Sequence, residues 1–173
     1  MEDFTVRSEK KLAEMCHLAA KMLDTCIKGH RQRSESLLSE VITDGKKLHR
    51  EDRKLTAEVV SKTSENPSKT SERLKCIPVV SNRLERVGDF IEDIAQALMH
   101  KVKEGVLFSD RANAEVDELL QDAHELVLCA GDFIITGNPV LRNHVLTGAT
   151  TSYDKATAFI SAHDERLIEG VCQ

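Results

Sequence analysis

Leu84, Val87, Ile91, Ile94, Ala95 and Leu98 recur at the i, i+3, i+4, i+7 spacing of a buried helical stripe, and Leu74, Ile77 and Val80 keep the same phase before them. The same period returns upstream as Leu12, Met15, Cys16, Ala19, Met22, Leu23 and Cys26, then as Leu37, Leu38, Val41, Ile42, Leu48, Leu55, Val59 and Val60. Downstream it returns as Val116, Leu119, Leu120, Ala123, Leu126, Val127, Ala130 and Ile134. Stripes of this length bury themselves against other helices. The pattern therefore predicts an all-α antiparallel bundle with short loops.

The punctuation gives five helices, over about 6–28, 34–62, 67–103, 111–135 and 139–169, with ends good to a few residues. Gly29 stops the first, and Gly45 weakens the middle of the second. Asn66 is expected to cap the third, with Pro67 at its first position. Pro78 should kink that helix or divide it. Gly105 ends it, Ser109-Asp110 caps the fourth, and Gly137-Asn138-Pro139 turns the chain into a fifth that is interrupted or bent near Gly148. LAEMCHLAAKMLDTC and VDELLQDAHELVLCA each read as the first helix of a unit, which suggests a weak repeat. The single domain then divides into a three-helix repeat over about 5–104 and an incomplete, two-helix repeat over about 109–170.

Composition supports this reading. Hydrophobic residues make up 40% and aromatics only 3%, so the core must be aliphatic, while 31% charged residues supply long solvated faces. A net charge of −5 gives nucleic acid no general electrostatic help. The basic residues Arg31, Arg33, Lys46, Lys47, Arg50, Arg53 and Lys54 are interleaved with acids and read as solvated helix surface rather than an anion site. Five scattered cysteines without a CxxC pair argue for reduced thiols in a cytoplasmic protein, with Cys16, Cys26, Cys76 and Cys129 as small core fillers. No apolar run reaches the length of a membrane span, and Glu2 and Asp3 do not suit a signal peptide.

The helix around Leu84 has a second face. Glu85, Asp89 and Glu92 fall at i, i+4, i+7, with Asp93 at the margin. Like charges at this spacing repel by a few tenths of a kcal/mol. A solvated face with Arg83 and Arg86 as countercharges is one reading. The other is a carboxylate metal site completed by a neighbouring helix. Gly88 would let that neighbour approach beside Asp89. Among the seven histidines none forms HxxxH. His124, His163, Asp132 and Asn138 are the candidates for a ligand from a facing helix. No phosphate loop, GxSxG motif or Cys/His dyad is present, so nothing in the sequence specifies an enzyme.

Leu84-Glu85-Arg86-Val87-Gly88-Asp89-Phe90-Ile91-Glu92-Asp93-Ile94-Ala95 resembles the signature helix of PhoU proteins, regulators of phosphate uptake built from two three-helix repeats. The family pattern, an acid followed four residues on by Asp, is carried by Glu85 and Asp89. The resemblance implies metal binding at this motif, with iron, zinc or another divalent ion. Glu85 and Asp89 would be ligands, and Glu92 and Asp93 would lie on the same flank. The motif helix of the second repeat is missing, so only the first-repeat site is expected. Residues 103–109, Glu118-Leu119-Leu120, Leu12-Ala13-Glu14-Met15 and 163–170 resemble the PhoU-type tail of sodium/phosphate cotransporter-like proteins. The likeness implies a non-catalytic regulatory domain that partners a phosphate transporter membrane domain or a signalling protein. It allows a homo-oligomer and gives no role in nucleic-acid binding. A metal-free structural module and a metal-dependent phosphoesterase are the alternatives.

Overall fold

The computed structural model describes residues 2–65 and 67–170. Among them the chain forms α1 (Glu2–Gln32), α2 (Glu35–Glu65), a short 3-10 turn (Pro67–Lys69), α3 (Glu72–Lys103), α4 (Asp110–Thr136) and α5 (Pro139–Ile168), with no strand. The expected all-α bundle is what is found. α1 lies at its centre, packed against α2, α3 and α4, while α2 also packs along α3. α5 packs on α4 alone. The molecule is thus a three-helix unit with an α4–α5 hairpin attached through α4.

The apolar stripes make the core. Leu12, Met15, Ala19, Met22 and Cys26 of α1 are buried against Leu38, Val41, Leu48 and Leu55 of α2 and Leu74, Ile77, Leu84, Ile91 and Ala95 of α3. At about 25 cal/mol per Å² of apolar surface, each large side chain sealed here stabilises the fold by about 1.5–3 kcal/mol. By contrast, α5 has no buried residue, and Leu146, Tyr153 and Ile160 lie exposed along it.

Several expectations need correction. The cap of α3 is Ser71, whose Oγ accepts from the Leu74 N–H at 3.2 Å. Pro67 opens the 3-10 turn instead of α3, and Asn66 lies outside the described residues. Pro78 does not divide α3: the helix continues through it, near its start, where tertiary packing of Leu74 and Ile77 outweighs one lost hydrogen bond. Gly148 does not interrupt α5, and it makes room for Leu126: a Cβ there would sit 2.5 Å from Leu126 Cδ2. Cys76 is exposed and Cys129 half-buried, so only Cys16 and Cys26 fill the core; Cys172 lies outside the described residues. Val60, Val80 and Ile94 are exposed as well, because they sit at the edges of their stripes.

Just beyond α3, α4 and α5 the backbone turns left-handed at Gly105, Gly137 and Gly170. Beyond α1 the same turn falls on Arg33, with φ 51°. The Ser34 N–H donates to the Gly29 carbonyl at 2.9 Å and the Arg33 N–H to the His30 carbonyl at 3.2 Å, the bond pair of a Schellman cap. An L side chain in this conformation costs about 1–2 kcal/mol.

Candidate metal centre

α2 and α3 form an antiparallel hairpin whose register is set by the connection between Glu65 and Glu72. Gly45 on α2 meets Glu92 on α3: a Cβ on Gly45 would overlap the Glu92 carboxylate. One turn further on, a Cβ on Gly88 would lie 2.5 Å from Leu48 Cδ2. The two glycines, each costing about 1 kcal/mol in a helix interior, let the helices close up. This is the packing role expected of Gly88. The close approach carries His49, next to Leu48, onto the acidic stripe of α3.

His49 Nδ1 lies 2.9 Å from Glu85 Oε1 in a hydrogen bond. Its Nε2 lies 3.3 Å from Asp89 Oδ1 and 3.2 Å from Glu92 Oε1, with no hydrogen bond to either. One donor each from His49, Glu85 and Asp89 falls within 4.8 Å of the others. The site is walled on one side and open on the other: the Glu92 side chain is 14% exposed and that of Asp89 49%. Glu92 Oε1 is buried without a hydrogen-bond partner. A buried acceptor left unpaired costs about 1–3 kcal/mol, more for a charged group.

These donors fit a divalent ion. When Nδ1–H donates to Glu85, the Nε2 lone pair faces two carboxylate oxygens, a repulsive arrangement that a cation between them would reverse. Ligands about 2.0–2.2 Å from a tetrahedral ion stand about 3.3–3.6 Å apart, close to the separations at Nε2. One imidazole nitrogen with carboxylate oxygens suits zinc or iron better than an all-oxygen calcium site. A carboxylate on the far ring nitrogen is the usual way to fix a ligating histidine, and Glu85 is placed to do so.

Of the residues singled out in the sequence, Glu85, Asp89 and Glu92 converge on His49. Asp93 is exposed and outside this cluster; it lies about 100° further round the helix than Glu92. Asp132 pairs with His17 at 3.4 Å across α1 and α4, and Asn138 caps α5 by accepting from the Val140 N–H at 2.9 Å. His124 and His163 are not part of the cluster. His49 was not singled out from the sequence, yet its position was readable. Counting outward from the loop by equal steps pairs Gly45 with Glu92 and His49 with Gly88, midway along the stripe.

The PhoU domain pattern matches residues 12–98, from the first turns of the α1 stripe through Leu98 in α3. The matched stretch contains both glycines, His49 and the whole acidic stripe. No curated protein and no solved structure matches the chain. With half of its 173 residues and most of its three-helix unit matched, the chain belongs to the PhoU domain family.

Proposed function

We propose that this chain is a non-catalytic regulatory domain in phosphate homeostasis that binds one divalent ion, zinc or iron, at His49 Nε2 and Asp89, with Glu92 alongside and Glu85 fixing the imidazole ring through Nδ1. Family membership supports the regulatory role. The observation that carries the metal reading is His49 Nε2 set among carboxylate oxygens at 3.2–3.3 Å, one of them buried and without a hydrogen bond. A bound divalent ion would neutralise the stripe and supply a Lewis-acidic coordination position. The chain's own residues do the rest. Glu85 holds the imidazole ring in place, Gly45 and Gly88 bring α2 within reach, and the open Asp89 side leaves a coordination position accessible.

The partner in this reading is the membrane domain of a phosphate transporter, of the sodium/phosphate cotransporter type that residues 103–109 resemble, or a signalling protein. No described helix is long and apolar enough to cross a membrane. The membrane portion would then lie outside these helices. A second reading, a metal-free structural module, is favoured by the His49–Glu85 hydrogen bond, which joins α2 to α3 without an ion.

Elemental analysis and titration with zinc and iron(II) separate the two. The expected result is about one ion per chain, lost in H49A and D89A, with a lower unfolding midpoint after chelation. Failure of the wild type to bind either ion, or undiminished binding by both variants, refutes the metal site. Capture of a phosphate transporter's membrane domain by the purified protein tests the docking role separately.

A further inference from the structure

Arg31 and Arg33 at the end of α1, read from sequence as solvated surface, join Lys101 at the end of α3 around a cavity of about 500 Å³ beside the start of α4. Arg33, Lys101 and His30 line it, with Phe108 and Asn113 opposite. Arg31 is neutralised there by Asp117, its Nε donating to Oδ2 at 2.7 Å. The Arg33 side chain has no hydrogen bond or ion pair to any described residue. Lys101 has only neutral partners: the Asn113 side-chain oxygen at 3.3 Å and the Phe108 ring, 3.7 Å from its centroid. Burial, and then the positive charge of Arg33, pull the Lys101 ammonium below the ordinary lysine value, with Asp117 opposing. The buried His30 ring is likewise lowered, by burial first and by Lys101 next. Two cations therefore share the pocket with two carboxylates: Asp110, and Asp117, whose Oδ2 holds Arg31 and whose buried Oδ1 lies 4.0 Å from His30 Nε2 without a hydrogen bond.

Basic residues near helix C-termini complement the helix dipoles, which explains their sign. It does not explain the backbone of Arg33. The other left-handed turns in the described chain fall on glycine, and glycine would close α1 equally well. Strain of this kind marks a position where the side chain matters. We propose that Arg33 and Lys101 form a binding site for a phosphate-class oxyanion, distinct from the His49 cluster. A guanidinium fork facing an ammonium suits a phosphate oxyanion. A tetrahedral oxyanion presents oxygens to both cations at once. Val106 and Leu107, 47% and 75% exposed beside the pocket, leave room for an apolar remainder, so the phosphate can come from solution or from a lipid headgroup.

The test is calorimetric titration with inorganic phosphate at constant ionic strength, with chloride as the control and a chelator present. Sedimentation with phosphatidylglycerol vesicles forms the second arm. Saturable binding of phosphate is expected, weakened at least ten-fold in R33G and in K101M. R33G relieves the left-handed turn, so its unfolding midpoint should rise by about 2–4 °C while it loses the anion. That combination separates a binding role from a structural one. Binding of vesicles without free phosphate, lost in both variants, assigns the oxyanion to a headgroup and also supports the site. Phosphate held no better than chloride together with no vesicle binding overturns it. Binding unchanged in both variants overturns it as well.

Discussion

Gly45→Ala should change sign according to what stands at position 92. In an open helix interior, replacing glycine by alanine gains about 1 kcal/mol. Here the new methyl group would overlap the Glu92 carboxylate. Overpacking of this kind costs about 1–3 kcal/mol, so the net effect of G45A alone is a loss of up to about 2 kcal/mol. E92A removes the obstructing carboxylate together with its unpaired buried oxygen. Loss of that unpaired oxygen offsets part of the lost packing, leaving E92A close to neutral. In the E92A background the alanine at position 45 has space, and the propensity gain of about 1 kcal/mol should reappear. The coupling between the two sites is then about 2 kcal/mol, within the range for contacting residues. Urea denaturation of the four proteins, followed by circular dichroism with the m-value checked for constancy, gives the cycle. Additivity within about 0.5 kcal/mol would refute the packing of the Glu92 side chain against Gly45.

Other outcomes follow from single features. The Asp44 side chain is 1% exposed and held by Lys21 Nζ at 2.7 Å and Lys47 Nζ at 2.5 Å. Burial pushes its carboxyl up, but the two lysines outweigh this and hold it below the ordinary value. Its contribution to stability is thus present above the ordinary carboxylate range and lost as pH falls through the lowered value. D44N should be less stable at neutral pH and show a shallower acid slope between about pH 5 and pH 2 in pH-dependent urea melts. Among the described cysteines, Cys76 should react first with a thiol reagent because it is exposed. Cys16 and Cys26, whose thiols burial pushes up to about 11, should react only on unfolding; peptide mapping after timed labelling reads the order. Amides of α5 should exchange with deuterium before those of α1, since α5 buries no residue and packs on one neighbour.

Much of the architecture was legible because helical burial is periodic. The Leu12–Cys26 and Leu74–Leu98 stripes became core, and Ser109, Gly137 and Asn138 took the capping roles their chemistry suggests. What could not be read was decided between helices. Val80 looks like a stripe member and Cys76 like a core filler on an isolated helix, but both are exposed once α3 packs on α1 and α2. Ser71 displaced Asn66 and Pro67 as the start of α3, because the 3-10 turn consumed the intervening residues. The acidic half of the site was visible as a stripe on one helix. Its imidazole was hidden because histidine carries no local signal, and only the pairing of α2 with α3 brings it in.

That pairing makes the hairpin a ruler measured from its loop. One residue inserted between His49 and Glu65 would turn the imidazole by about 100° and move it by about 1.5 Å along α2. Gly45 would leave Glu92 in the same step. Substitutions on the outer faces change neither distance. The α2–α3 arms should therefore accept many changes of residue but almost no change of length. Length variation in this segment belongs in the connection between Glu65 and Glu72, and there only where both helices keep their phase.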